Sequence, residues 1–140
     1  MSNRDTPPGN GHRLRRSLAR TWGAFFRQHG SFTPAQLAAI PPLLAGENVL
    51  LGAATASGKT EAALAPLIER YLLPGRPTSR LILLYLLPTR ALINDLQNRL
   101  AVPLELLRVS WAVKTRDFNS FAPKHPADLL LTTPESLDSL

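Results

Sequence analysis

The run Ala53 to Thr60, AATASGKT, has residue types in an order that can hold a nucleoside triphosphate, with ATP and Mg²⁺ the expected ligands. A triphosphate needs backbone N–H groups pointing inward, a cation near its β- and γ-phosphates, and a hydroxyl that helps hold Mg²⁺. Gly58 permits close backbone approach and opens a helix, Lys59 supplies the ammonium, and Thr60 supplies the hydroxyl. The strict pattern GxxxxGK[ST] is broken at its first position by Ala53, and Ala56 stands where many such loops have a second glycine. Both side chains are small, and an alanine with negative φ is compatible with a tight loop, so the donors survive. The competing reading is an ordinary strand-to-helix turn that happens to contain SGKT. An apolar strand before the run and a helical pattern after it favour the phosphate loop.

The elements that must position this loop are legible as two alternating periods beyond Gly30. Strands are expected at Val49 to Gly52, Leu81 to Leu87, Leu106 to Val113 and Leu129 to Thr132, and helices at Lys59 to Leu72 and Arg90 to Leu100. Pro66 inside the first of these helices predicts a kink. The class is α/β, with a mostly parallel sheet flanked by helices and near-continuous apolar strands that suggest burial on both faces. Upstream, His12 to Gln28 carries Leu14, Leu18, Trp22 and Phe25 at helical spacing among Arg13, Arg16, Arg20 and Arg27. Such a helix can meet nucleic acid or a membrane, but docking its apolar stripe on its own domain is the commoner case. Residues 1–11, rich in Pro, Gly and polar residues, are expected to be a disordered tail, which leaves 12–140 as the domain.

The 16 Lys+Arg against 10 Asp+Glu give a net charge of +6, which favours anionic partners. The absence of cysteine excludes disulfides and thiolate metal sites, and His12, His29 and His125 lack ligand-like spacing. No apolar run approaches the roughly 20 residues that span a bilayer, and the N-terminus has no apolar signal core. The expectation is a soluble, cytoplasmic protein with no membrane partner.

Three further stretches have helix-start chemistry. In FTPAQ (Phe32 to Gln36), Thr33 can cap a helix, Pro34 suits its first position, and Gln36 lies where a capping box needs it. In PTRAL, Thr89 is a cap and Arg90 sits in the first turn, where a cation opposes the helix dipole and asks for a functional reason. Thr133 and Pro134 repeat the cap and first-position pattern.

Read together, AATASGKT resembles motif I of the DEAD/DExH-box helicases of superfamily 2, in which the loop commonly begins with Ala. LPTRALINDLQNRL (Leu87 to Leu100) is similar to motif Ia, LLLTTPESLDSL (Leu129 to Leu140) to the TPE motif, and FTPAQ to the adenine-reading Q motif. The resemblance covers Phe32 to Leu140 and implies a partial RecA-like P-loop NTPase domain, the N-terminal part of the first RecA-like ATP-binding domain. It implies that Gln36 turns its amide to the adenine edge, in competition with the capping box. It also implies nucleotide contacts from Thr55, Ala56, Ser57, Gly58, Lys59, Thr60 and Glu61, with Lys59 and Thr60 catalytic and Thr60 reaching Mg²⁺ through the nucleotide. The family's aromatic upstream of the glutamine has candidates in Trp22, Phe25 and Phe26. Pro88, Thr89 and Arg90, with Thr133 and Pro134, would contact the sugar-phosphate backbone of DNA or RNA. Lys114 to Asp117, KTRD, stands where relatives often have a TGD-like turn, and Arg116 replaces its glycine. Backbone contacts imply binding that ignores sequence and weakens with salt, without base readout.

Hydrolysis by this class needs a carboxylate at the end of a second apolar strand. Leu81 to Leu87 runs into Pro88, and Leu129 to Leu131 runs into Thr132 and Thr133. The expectation is therefore a helicase truncated before its DExH strand and lacking the second RecA-like domain. Such a chain would hydrolyse ATP poorly alone and would need a partner supplying the missing halves. Two function classes stay open: the ATP- and nucleic-acid-binding N-terminal portion of an ATP-dependent helicase, or a non-catalytic nucleic-acid-binding or interaction fragment. A P-loop kinase leaves PTRAL and TTPES without a role.

Overall fold

The computed structural model describes residues 9–73 and 80–139. The chain divides into two compact units, Met1–Pro74 and Gly75–Leu140. The expected tail lies mostly outside the described residues, but helix α1 (Asn10–Ser17) already begins at Asn10.

In the first unit α1 is followed by α2 (Thr21–Phe25), α3 (Pro34–Leu44) and α4 (Lys59–Leu67). The single basic helix expected over His12 to Gln28 is thus two helices, and a tertiary cap explains the break. The Glu69 carboxylate accepts hydrogen bonds from the Thr21 N–H at 2.8 Å, the Thr21 hydroxyl at 2.9 Å and the Arg20 N–H at 3.2 Å. These donors belong to the first residues of α2, which has no side-chain cap of its own. Leu14, Leu18 and Phe25 are buried, so the apolar stripe packs within its own unit as expected. Trp22, Phe26 and Phe32 form an aromatic cluster with ring centroids 4.9–5.6 Å apart. The cluster seats the chain just before α3.

Pro66 lies inside α4, close to its end. The missing N–H interrupts the ladder, and from Ile68 to Leu72 the chain continues as a π-helical turn, with Leu73 N–H donating to Ile68 O at 3.2 Å. Val49 to Gly52, expected as a strand, is not part of a ladder among the described residues. Val49 is 36% exposed and Leu50 fully exposed. A parallel strand takes all its backbone hydrogen bonds from neighbours, and the described residues of this unit hold no second strand.

The second unit is a three-stranded parallel sheet, β1 (Leu83–Leu86), β2 (Trp111–Lys114) and β3 (Leu129–Thr132), in the order β1-β3-β2. The central strand β3 is buried along its whole length, whereas Leu84 and Leu86 on the edge strand β1 are exposed. Burial on both faces therefore holds for the centre and fails at this edge. Helix α5 (Arg90–Leu106) joins β1 to β2 and buries Ile93, Leu96, Leu100 and Leu104. It runs six residues past the expected end at Leu100, through Pro103. The buried Leu104 holds that last turn against the lost hydrogen bond. The strand expected over Leu106 to Val113 shortens accordingly to Trp111–Lys114. Between them Arg108 adopts φ +53° in a Schellman turn, with Val109 N–H donating to Leu104 O and Arg108 N–H to Glu105 O, both at 3.0 Å. The short helix α6 (Pro134–Leu137) follows β3. No described helix is long and apolar enough to cross a membrane.

Candidate nucleotide and nucleic-acid sites

The loop from Ala53 leads through a turn, in which Ser57 N–H donates to Ala54 O, into the first turn of α4. Gly58 is left-handed at φ +74°, and a Cβ there would land on the Gln36 carboxamide nitrogen. Glycine is required on both counts. Ala56 is also left-handed, at φ +61°. The condition of a negative φ, under which alanine suits a tight loop, is therefore not met at Ala56, and the loop carries backbone strain at a residue with a Cβ.

Lys59 donates to the carbonyls of Ala53 and Ala54, each at 2.7 Å. Its ammonium thus closes the loop on itself, and the first position contributes only a backbone carbonyl, which alanine supplies as well as glycine. The Ser57 hydroxyl is buried with no hydrogen-bond partner among the described residues. Thr55 and Ala56 are exposed at the loop's tip, while Thr60 and Glu61 are half-buried in the first turn of α4.

The start of α3 grips this loop. Thr33 and Gln36 form the capping box: Gln36 N–H donates to Thr33 Oγ1 at 3.2 Å and Thr33 N–H donates to Gln36 Oε1 at 2.9 Å. The same two side chains reach the loop, Thr33 Oγ1 donating to Ser57 O at 2.7 Å and Gln36 Nε2 to Gly58 O at 3.2 Å. Gln36 is buried. Its amide is thus engaged by the cap and the loop; Nε2 carries two N–H groups, of which Gly58 takes one. Of the aromatic candidates, Phe25 and Phe26 are buried and Trp22 is half-buried under the Arg15 guanidinium, 4.9 Å from its ring centroid.

In the second unit the register sets Leu86, Thr132 and Lys114 in one row, at the ends of β1, β3 and β2. The residues that follow each strand, Pro88 to Arg90, Thr133 with Pro134, and Thr115 to Asp117, therefore emerge at one edge of the sheet, where open α/β sheets bind ligands. Thr89 caps α5 as expected, accepting from Leu92 N–H at 3.3 Å. Arg90 forms an ion pair with Asp117, so the cation against the helix dipole has a carboxylate partner and PTRAL meets KTRD. Thr133 occupies the cap position of α6 and Pro134 the first helical one, but the Thr133 hydroxyl lies 3.0 Å from Ser136 Oγ instead of capping a backbone N–H. Lys114 is buried and donates to Ser139 O. Lys114, Thr115, Arg116, Asn119 and Glu135 line a surface cavity of about 580 Å³, and Arg90, Asn94, Gln97 and Phe118 line another of about 380 Å³. Asn94, Gln97 and Phe118 were not among the residues expected from sequence; the signal was an aromatic directly after a charged turn.

The DEAD/DEAH box helicase family matches residues 33–140, from the α3 cap onward. The chain belongs to the DEAD/DEAH box helicases. This helicase chain is 36% identical over 137 residues to ATP-dependent helicase Lhr-Core protein 2 of Thermococcus barophilus, covering 84% of the chain and 16% of that relative. It is 36% identical over 132 residues to ATP-dependent helicase Lhr-Core of Methanocaldococcus jannaschii, covering 81% of the chain and 16% of the relative. Among solved structures it resembles Mycobacterium smegmatis helicase Lhr bound to ssDNA and AMP-PNP, with a TM-score of 0.70 and 32% identity over 85% of this chain and 17% of that one. A hypothetical ATP-dependent RNA helicase from Sulfolobus tokodaii shares the fold, with a TM-score of 0.67 over 89% of this helicase chain and 35% of that one, at 24% identity. The parallel sheet and these neighbours make the fold a partial RecA-like one. The chain spans about a sixth of the length of the Lhr-Core relatives, 16% in each case.

Proposed function

We propose that the chain is the ATP- and nucleic-acid-binding N-terminal portion of an ATP-dependent helicase, acting in the cytoplasm. The observation that carries the nucleotide half is the state of the loop: a Lys59 ammonium bonded to two loop carbonyls, and a buried Ser57 hydroxyl with no hydrogen-bond partner among the described residues. Both groups suit phosphate oxygens, the one as a cation and the other as a donor. The N–H groups at the start of α4 and the left-handed Gly58 supply the remaining donors, so the residues present fit a triphosphate. Thr60 would contribute its hydroxyl to the metal, and Glu61 would lie in the same turn. Thr55 and Ala56 would cover the phosphates from the loop's tip, and Gln36 would meet the adenine through its second N–H while still holding Gly58. Bound MgATP supplies the phosphoryl transfer that helicases couple to strand separation.

Pro88, Thr89, Arg90, Thr133 and Pro134, gathered at one sheet edge, would take the sugar-phosphate backbone of a single strand. The ssDNA and AMP-PNP in the Mycobacterium smegmatis Lhr structure support this reading, and an RNA strand offers the same phosphates. Partner segments supplying the rest of a helicase would complete turnover.

Titration with a fluorescent ATP analogue tests the nucleotide half. Mg²⁺-dependent binding that is lost in Lys59→Ala is the expected result, since the variant removes the only side-chain cation of the loop. Binding that survives in the variant overturns it. Oligonucleotide binding indifferent to nucleotide and to Lys59 would favour the non-catalytic binding fragment instead.

A further inference from the structure

Phe118 is 56% exposed, yet its backbone is fixed. Its N–H donates to Thr115 Oγ1 at 3.2 Å and its carbonyl accepts from Thr115 N–H at 2.7 Å. On either side, Lys114 bridges Asn119, Ser120 N–H donates to Val113 O at 2.9 Å, and Val113 N–H donates to Ser120 Oγ at 2.9 Å. These bonds fix the turn and leave Phe118 more than half exposed on it.

The ring lines the cavity of about 380 Å³ together with Arg90, Asn94, Gln97, Thr115 and Asp117. Arg90, Asn94 and Gln97 stand four and three residues apart, on one face of α5. The cavity therefore combines an aromatic face, two carboxamides and a guanidinium within the size range of small-ligand sites. An apolar protein segment would strand the carboxamides and take the Arg90–Asp117 ion pair out of water. A nucleobase satisfies all of them: its π-face stacks on Phe118, its donor and acceptor edge meets Asn94 and Gln97, and its own phosphate lies within the reach of a cation.

We propose that Phe118, with Asn94 and Gln97, receives one unpaired nucleobase of the bound strand. This rests on the reading that Arg90 takes a backbone phosphate, and it adds a base contact where the motifs by themselves indicate backbone contacts only. Every base has a stacking face, so the platform strengthens binding to any base-bearing strand, and the carboxamides impose a preference among bases.

Fluorescence anisotropy of the purified chain tests it with a labelled single-stranded oligodeoxynucleotide and its abasic counterpart, which has the same phosphates. Loss of the bases should weaken wild-type binding by roughly tenfold, and Phe118→Ala should lose the same factor on the base-bearing strand and nothing on the abasic one. Phe118→Trp should keep the wild-type affinity and add an indole emission that the base-bearing strand quenches. If Phe118→Ala binds both strands as the wild type does, or loses equally on both, the base platform is refuted. The phosphate reading then stands so long as Arg90→Ala weakens both strands. If the wild type binds neither strand at low salt, the phosphate reading falls and the platform with it.

Discussion

Ser57 presents a conflict between stability and binding at the scale of one atom. Its hydroxyl is buried with no partner, which penalises the nucleotide-free protein by the desolvation of a polar group. Ser57→Ala is expected to stabilise that form by about 1 kcal/mol in urea unfolding. The same change should weaken the ATP analogue by roughly three- to tenfold, because a donor to phosphate is gone. Movement of the two measurements in opposite directions is the signature of a ligand-directed hydroxyl, and a parallel loss in both would mark a purely structural one. Ala56, at φ +61°, lies one residue before Ser57 and adds backbone strain to the same loop.

At the scale of elements, two helix ends depend on unusual residues. Arg108 occupies the left-handed position of the Schellman turn that ends α5, where glycine is the common choice. Arg108→Gly should raise the unfolding free energy by about 0.5–1 kcal/mol, visible as a higher urea midpoint at unchanged slope. An unchanged or lower midpoint would mean that the arginine side chain stabilises the turn by as much as its φ costs. In the first unit, Glu69 caps α2 from the π-helical turn, with its side chain 11% exposed. Glu69→Ala leaves the Thr21 donors without an acceptor and should cost about 1.5–3 kcal/mol, with Glu69→Gln recovering part of it. A loss below about 0.5 kcal/mol would show that water replaces the carboxylate at no penalty. The π turn that presents Glu69 begins two residues after Pro66, so the proline's disturbance of α4 and the capping of α2 lie on one piece of chain.

For the molecule as a whole, the net charge of +6 would make the proposed oligonucleotide binding an electrostatic property. Affinity for a single strand should fall linearly in log–log form as salt rises, with about 0.7 of slope for each phosphate neutralised. Arg90→Ala should flatten that slope by about 0.7 in anisotropy titrations across salt concentrations. A slope that does not change would exclude Arg90 from the phosphate contacts and assign its ion pair with Asp117 a structural role. The AATASGKT loop and its α3 clamp lie in Met1–Pro74, and the segments proposed to meet nucleic acid lie in Gly75–Leu140.

Local chemistry was readable from residue order alone. The Thr33–Gln36 capping box, the Thr89 cap, the need for glycine at position 58 and the β3 strand each depend on neighbours a few residues away, so their spacing was enough. The phosphate-loop pattern and the helicase resemblance belong to the same category, being strings of adjacent residues. Features that depend on distant partners were not readable. Val49 to Gly52 has the composition of a strand, but a strand exists only where another supplies its hydrogen bonds. Leu106 and Leu107 look like the start of β2 and instead finish α5, because burial of Leu104 carries the helix past Pro103. The break between α1 and α2 waits on a carboxylate 48 residues from Thr21, and the clamp on the loop joins Thr33 to Ser57 across 24. Arg90 finds Asp117, and Phe118 comes to line one cavity with Asn94 and Gln97, because parallel pairing brings the ends of β1 and β2 to the same edge around β3. The residue types and their local geometry were set by the sequence, while the choice of partners came from packing, which depends on contacts far apart along the chain.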